Sequence, residues 1–350
     1  MERIPCPGVR ARAARRAAVE LLLLGTAAFL FLRSFDAGDL ARAALRITPG
    51  VLAAAVGFQA VLLGLCTLCW ALILRQSGLY RGAWSCFWAR TAGFAATYLT
   101  PSVSFAGVPT RELLYREDGM DRGKLYATIA LDTFLEVAGK VPCIVAGAFC
   151  LGCGNRMGAA PVVAAAALPV LLAGGAFLLS CSGRRKGEPS GLILETVLRP
   201  LAALRPGAAA AVLSGIRAFR EGIRGIVKDR RAVAAAAAAA FAASAVEVAQ
   251  TWFLLSVLGL GSLPRSLAVY ASILVQACTG LLPGNLGGME GAHVAVFSLL
   301  GLAPGSGLVY TAMLRSGQAV AVLCGLLYMA CRRLAKARSS RMPVASGARL

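Results

Sequence analysis

The stretch "LLPGNLGGMEGAH", Leu281–His293, sets Pro283, the glycines Gly284, Gly287 and Gly288, and a lone acid, Glu290, inside one of the most apolar parts of the chain. Proline and glycine break helices. A carboxylate in such a run is costly unless it faces protein or water. The composition around it is that of a membrane protein. The 350 residues are 58% hydrophobic with a mean hydropathy of +0.71, and only 15% are charged, against about 25% in soluble domains. The net charge of +20 collects between and beyond the apolar runs. That distribution points to topology signals and anionic headgroups rather than nucleic acid.

A helix needs about 20 apolar residues to cross hydrocarbon. Full spans are expected at 17–32, 51–74, 125–151, 157–181, 232–258 and 307–331, while 86–105 and 266–303 are apolar but broken by Pro and Gly. The basic run before 17–32 resembles a signal peptide, yet "RSFDAGD" follows without a small-residue cleavage site, so an uncleaved span is expected. The pairs Cys66/Cys69 and Cys150/Cys153 lie in apolar runs without further ligands nearby and read as small helix residues. No metal or cofactor is expected.

The positive-inside rule orients the spans. The N-terminus, the basic connector 183–231 and the tail from Arg332 should all be cytoplasmic, and six crossings satisfy this. A full crossing by 86–105 would put the most basic loop outside. That segment should therefore dip in from the cytoplasm and return, and 266–303 should do the same from outside. The two arms of the latter, 266–282 and 290–303, would reach roughly 25 and 21 Å. Non-helical backbone at that depth persists only when buried in protein or lining a cavity. The architecture expected is all-α: a polytopic membrane helix bundle of about six spans with two oppositely oriented re-entrant hairpins. In the connector, Val212, Ile216, Phe219, Ile223 and Ile226 share one helical face, and Arg217, Arg220, Arg224 and Lys228 another. Such a helix suits an anionic membrane surface, or equally a connector packed on the protein.

"YLTPSVSFAGVPTRELLYREDG" and "GLLPGNLGGMEGAHVAVFSLLG" share a plan. Each is an apolar run reaching a proline (Pro101, Pro283), then glycine (Gly107; Gly284, Gly287, Gly288), then a charged helix start (Arg111; Glu290). Each leads to an Ala-rich span beginning near a tyrosine, 25 positions on from Pro101 to Tyr126 and 27 from Pro283 to Tyr310. The units 51–181 and 232–331 then read as an inverted repeat, an architecture of transporters whose broken helices meet near the midplane.

These paired motifs resemble the flippase-like transmembrane domain of the lysylphosphatidylglycerol synthase family. "PGNLGGME" stands where the family has a Pro-Gly-Gly-Leu-Gly run followed by Glu, and "TPSVSFAGVPTR" where it has Thr-Pro, Gly and a downstream Arg. Asn285, Met289, Val108 and Thr133 depart from the pattern. The resemblance implies a bacterial inner-membrane protein that moves or handles a lipid. Fused members carry a soluble aminoacyl-transferase domain after the membrane part. The chain runs about twenty residues past its last span, so that domain is expected to be absent.

Asp132, Glu136 and Lys140 fall at i, i+4 and i+8 and share a helix face. Three such charges must face the bundle interior, since each costs about 2.5–3.5 kcal/mol at a span centre. Lys140 is expected to neutralise Glu136, leaving Asp132 for Arg315, about 12 Å inside its own span, or else for Arg111. Glu247 and Gln250 add interior polarity. Arg111, Asp132, Glu136, Lys140, Glu247, Glu290 and Arg315 are the candidate substrate-binding residues, either as a headgroup cavity or as a packing network. His293 reads as a packing residue; an intramembrane protease pairing it with Ser306 is the enzymatic alternative, and no enzyme activity is expected. A non-transporting scaffold of a lipid or envelope pathway is the other alternative. The expected partner is a lipid with an anionic or zwitterionic headgroup.

Overall fold

The computed structural model describes residues 45–100, 106–116, 119–153, 221–223, 225–279 and 283–339. The expected spans 17–32 and 157–181, Pro101, and the connector residues Arg217, Arg220 and Arg224 lie outside them. The described chain is helical throughout: α1 (Pro49–Gln76), α2 (Ala83–Leu99), α3 (Gly107–Tyr115), α4 (Arg122–Cys153), α5 (Arg230–Val257), α6 (Leu263–Tyr270), α7 (Ile273–Thr279), a 3-10 turn at Pro283–Asn285, α8 (Gly288–Leu299) and α9 (Pro304–Ser339). Local chemistry sets several boundaries. Thr48 caps α1 by accepting from the Val51 amide ahead of Pro49, and Asp229 caps α5 by accepting from the Arg231 and Ala232 amides. Four of the described helices, α1, α4, α5 and α9, are long and apolar enough to cross a membrane.

The packing is duplicated. α1 and α5 pack against each other along their lengths. α4 lies on α5 and α6, and α9 lies on α1 and α2 in the same way. Glycines make the matching contacts possible. A Cβ on Gly139 of α4 would sit 2.8 Å from the Ala240 carbonyl carbon of α5, and one on Gly317 of α9 would sit 2.6 Å from Ala55 O of α1. Eight residues further along each helix, a Cβ on Gly147 would run into Leu267 O and the Ala271 methyl, and one on Gly325 would meet Thr91 O and the Ala95 methyl. Small residues let apolar helices approach closely, because between such helices packing replaces the hydrophobic drive. The two Gly-x7-Gly pairs are in the sequence, yet their partners are not.

The broken segments differ from the expectation in one respect. The first arm of 266–303 is two helices, α6 and α7, because Leu274 N bonds Ala271 O and Val275 N bonds Ser272 O, a tightened turn between them. The second break is as the glycines suggest. Gly284 (φ 61°) and Gly287 (φ 81°) adopt left-handed backbone, and so does Asn285 (φ 51°), the sole described non-glycine to do so. Asparagine tolerates that region better than most residues, so its replacement of a motif glycine keeps the turn.

At the end of the connector, Ile223 and Ile226 are buried. Ile226 packs with Cys69 and Ile73 of α1 and Leu131 of α4. This part of the apolar face therefore covers protein, while Lys228 is exposed.

Candidate functional site

Three ion-paired centres are built on the charged residues. The first surrounds Asp132, which is completely buried on α4. Its Oδ2 accepts from Arg90 Nη1 and from Arg111 Nη2, both at 2.6 Å. Arg90 Nη2 also reaches Glu136 Oε2 at 2.6 Å, so one guanidinium bridges two carboxylates a helical turn apart. Arg111, at the first turns of α3, lies over the Trp70 ring at 4.1 Å. Gly93 admits it: a Cβ there would be 2.6 Å from Arg111 Cγ. Gly107 does the same for the two backbones, since a Cβ on it would strike the Thr97 hydroxyl and approach Gly93 O to 2.9 Å. Two positive and two negative groups balance. Asp132 Oδ1 and Arg111 Nε nevertheless remain buried without a partner among the described residues.

The second centre is at the Pro283 turn. Arg315 on α9 donates from Nε to Glu290 Oε1 (2.6 Å), from Nη1 to the Tyr98 hydroxyl (2.6 Å) and Gly284 O (2.9 Å), and from Nη2 to Asn285 O (3.3 Å). Glu290 Oε2 accepts from the Gly287 amide at 2.8 Å, so this acid also caps α8. Tyr98 belongs to α2, and its ring lies beside Gly284. The end of α2, at the first broken segment, thereby touches the turn of the second.

The third centre joins α4 to α5. Lys140 Nζ lies 2.8 and 3.0 Å from the Glu247 oxygens, and the Tyr270 hydroxyl donates to Glu247 Oε2 at 2.6 Å.

The expected pairings of Lys140 with Glu136 and of Asp132 with Arg315 are thus corrected, while the alternative partner named for Asp132, Arg111, is the one present beside Arg90. Lys140 forms its ion pair with Glu247, while Glu136 is held by Arg90. Asp132 is held by Arg90 and Arg111, and Arg315 is committed to Glu290. Sequence spacing shows which charges share a face of α4, but which neighbouring helix meets that face is a packing outcome. Among the charged residues of these centres, Arg90 is one that spacing missed. Its signal was a single arginine within the apolar run "FWARTAGFAATYL", where an unpaired charge would be untenable.

His293 is engaged on both ring nitrogens. Nδ1 lies 2.8 Å from the Thr311 hydroxyl and Nε2 3.2 Å from Gln276 Nε2. Its ring meets Tyr310 edge-on at 4.8 Å. Its hydrogen bonds are made to Thr311 and Gln276, and none of those described goes to Ser306.

The family model of the lysylphosphatidylglycerol synthase TM region matches residues 17–325. The chain belongs to this family. No curated protein and no solved structure matches. Membership and the long apolar helices together identify a multi-pass membrane protein related to lipid handling. The match takes in both broken segments and all three centres, so the charges described above belong to the family's own domain.

The Lys140–Glu247 pair offers a direct test of the corrected pairing. Lys140→Met should leave Glu247 with Tyr270 alone and lower stability by about 1–3 kcal/mol, less than a wholly buried pair because both side chains keep some exposure. Adding Glu247→Leu removes the stranded charge and should recover most of the loss. Melting of the purified protein in detergent reads both. An undiminished loss in the double variant would contradict the pairing.

Proposed function

We propose that the chain is a lipid flippase, moving a polar-headgroup lipid across a bacterial inner membrane. The observation that carries this reading is the placing of an arginine–carboxylate centre at each broken segment, within helices packed as two matching units. The four long helices, with crossings at 17–32 and 157–181, make six spans with both termini cytoplasmic. α2–α3 and α6–α8 then enter from opposite faces as re-entrant hairpins of an inverted repeat. Units 51–181 and 232–331 flank the connector 183–231, whose basic residues contact the anionic leaflet.

The centres suit a headgroup of mixed or negative charge. Arg90 and Arg111 supply donors to a phosphate, while Asp132, Glu136 and Glu290 supply acceptors to an ammonium or hydroxyl. Lipid passage requires these groups to exchange internal partners for headgroup partners. Balanced pairs make that exchange less costly than stripping a lone ion of its counter-charge. The acyl tails stay in the bilayer. The residues carry this role without chemistry on the lipid, so no enzyme activity is assigned.

Arg315→Gln is the informative variant. Glu290 remains at the N-terminus of α8, accepting from the Gly287 amide, where the helix dipole favours it. The protein should therefore still insert and fold, while movement of a labelled lipid between leaflets of reconstituted liposomes falls several-fold. If the parent moved no candidate lipid and Arg315→Gln matched it in every cellular phenotype, a non-transporting scaffold would replace this reading.

A further inference from the structure

Apart from the two hairpin centres, a partly open cavity of about 110 Å³ lies among α1, α5, α6, α7, α8 and α9. Gln59, Gln250, Gln318, His293, Tyr270 and Tyr310 are among its walls. Such a density of amides and hydroxyls within an apolar bundle is expensive unless hydrogen bonds are made.

Among the described residues, the cavity carries no uncompensated charge. Its carboxylate, Glu247, is already bonded to Lys140 and Tyr270. Its imidazole is held neutral by geometry. Gln276 Nε2 donates to Ser272 Oγ and faces His293 Nε2, so that nitrogen accepts. Nδ1–H then donates to Thr311 Oγ1, whose hydroxyl in turn donates a hydrogen bond to Gly307 O. The Tyr310 and Thr251 hydroxyls are bonded to each other at 3.0 Å.

Two groups are left over, and they are of opposite kind. Gln250 is 2% exposed, and its Nε2, a donor, is buried without a partner among the described residues. Gln318 Oε1, an acceptor, is in the same condition. A buried polar group left unpaired loses the hydrogen bonds it made to water and recovers none. A hydroxyl both donates and accepts, whereas a phosphate dianion only accepts and an ammonium only donates. An uncharged pocket offering one donor and one acceptor therefore selects hydroxyls over either ion. Its volume corresponds to roughly three or four waters, the scale of a glycerol or of one edge of a sugar.

We propose that this cavity is a subsite for the uncharged, hydroxyl-bearing part of a lipid headgroup, a glycerol or sugar, held between the Gln250 and Gln318 amides. The assignment rests on the lipid-handling reading above and adds the class of headgroup. The charged centres take the ionic part, and the amide cavity takes the polyol.

The test is lipid binding by native mass spectrometry, with the full chain in an amine-oxide detergent, which brings no sugar of its own. Phosphatidylglycerol is compared with phosphatidylethanolamine, and monoglucosyldiacylglycerol with diacylglycerol, all with identical acyl chains. The hydroxylated member of each pair should bind about tenfold more tightly, the worth of one to two recovered hydrogen bonds. Gln250→Leu with Gln318→Leu should abolish that preference. It should leave melting unchanged or raised, because two orphaned polar groups become apolar. Equal binding within both pairs, or a preference that survives the double variant, would overturn the subsite while leaving the flippase reading intact. Competition by millimolar free glycerol or glucose as strong as by the lipids would assign the cavity to a soluble polyol and overturn the headgroup assignment. Absence of binding to any of the four lipids would overturn both readings.

Discussion

Replacing Asp132 with alanine is expected to destabilise the protein by about 3–5 kcal/mol, the usual result of stranding a buried charge. The carboxylate is completely buried, and its Oδ2 receives both Arg90 and Arg111. Without it, Arg90 keeps Glu136, but Arg111 keeps only the Trp70 face, and two guanidiniums confront each other across one acid. Stability of that loss is a large share of the 5–15 kcal/mol typical of a domain, so the yield of monodisperse protein should fall sharply. Arg111→Leu combined with Asp132→Leu removes a charge of each sign and leaves the Arg90–Glu136 pair. That double variant should melt closer to the parent than Asp132→Ala does. Should Asp132→Ala melt with the parent, the buried centre would have no structural weight.

The second large effect is expected from a single methyl. Gly147→Ala places a Cβ against the Leu267 carbonyl oxygen and the Ala271 methyl, and Gly325→Ala meets Thr91 O at 2.6 Å and the Ala95 methyl at 2.8 Å. Backbone cannot rotate away as a side chain does, so the helices must separate. The loss should exceed the roughly 1–3 kcal/mol of ordinary overpacking, even though alanine favours a helix by about 1 kcal/mol over glycine. Gly64→Ala on α1 is the control: nothing lies within 4 Å of its added Cβ, so it should be neutral or mildly stabilising. Thermal melting of the three purified variants decides the matter. Equal loss at Gly147 and Gly325 is expected from the matched packing of α4 on α6 and α9 on α2. A Gly147→Ala protein as stable as Gly64→Ala would refute the close contact.

The local rules of the chain carried far. Hydropathy marked the long helices α1, α4, α5 and α9, because a run of apolar residues at 1.5 Å per residue has one dominant use. The Pro283–Gly288 stretch marked a break, because φ restrictions and lost amide bonds act within a few residues. The spacing of Asp132, Glu136 and Lys140 placed them on one face for the same reason, the fixed pitch of a helix. Even the role of Glu290 at the start of α8 was a matter of neighbouring positions.

Partnership across helices followed other rules. Residues 90 and 132 are separated by 42 positions and Lys140 and Glu247 by 107, and nothing in either local pattern encodes the encounter. The choice of Arg90 for Asp132 and Glu136, and of Glu290 for Arg315, depended on how closely the helices could lie. That distance was set by Gly93, Gly107, Gly139, Gly147, Gly317 and Gly325, each meeting backbone or a side-chain stem of another helix. Composition and periodicity determined that this is a helical membrane protein with two broken segments. Tertiary packing alone decided which charges neutralise one another, and where Gln250 Nε2 and Gln318 Oε1 are left without a partner among the described residues. Ion pairing and hydrogen bonding act over about 3 Å, and only the folded chain brings distant residues within that reach.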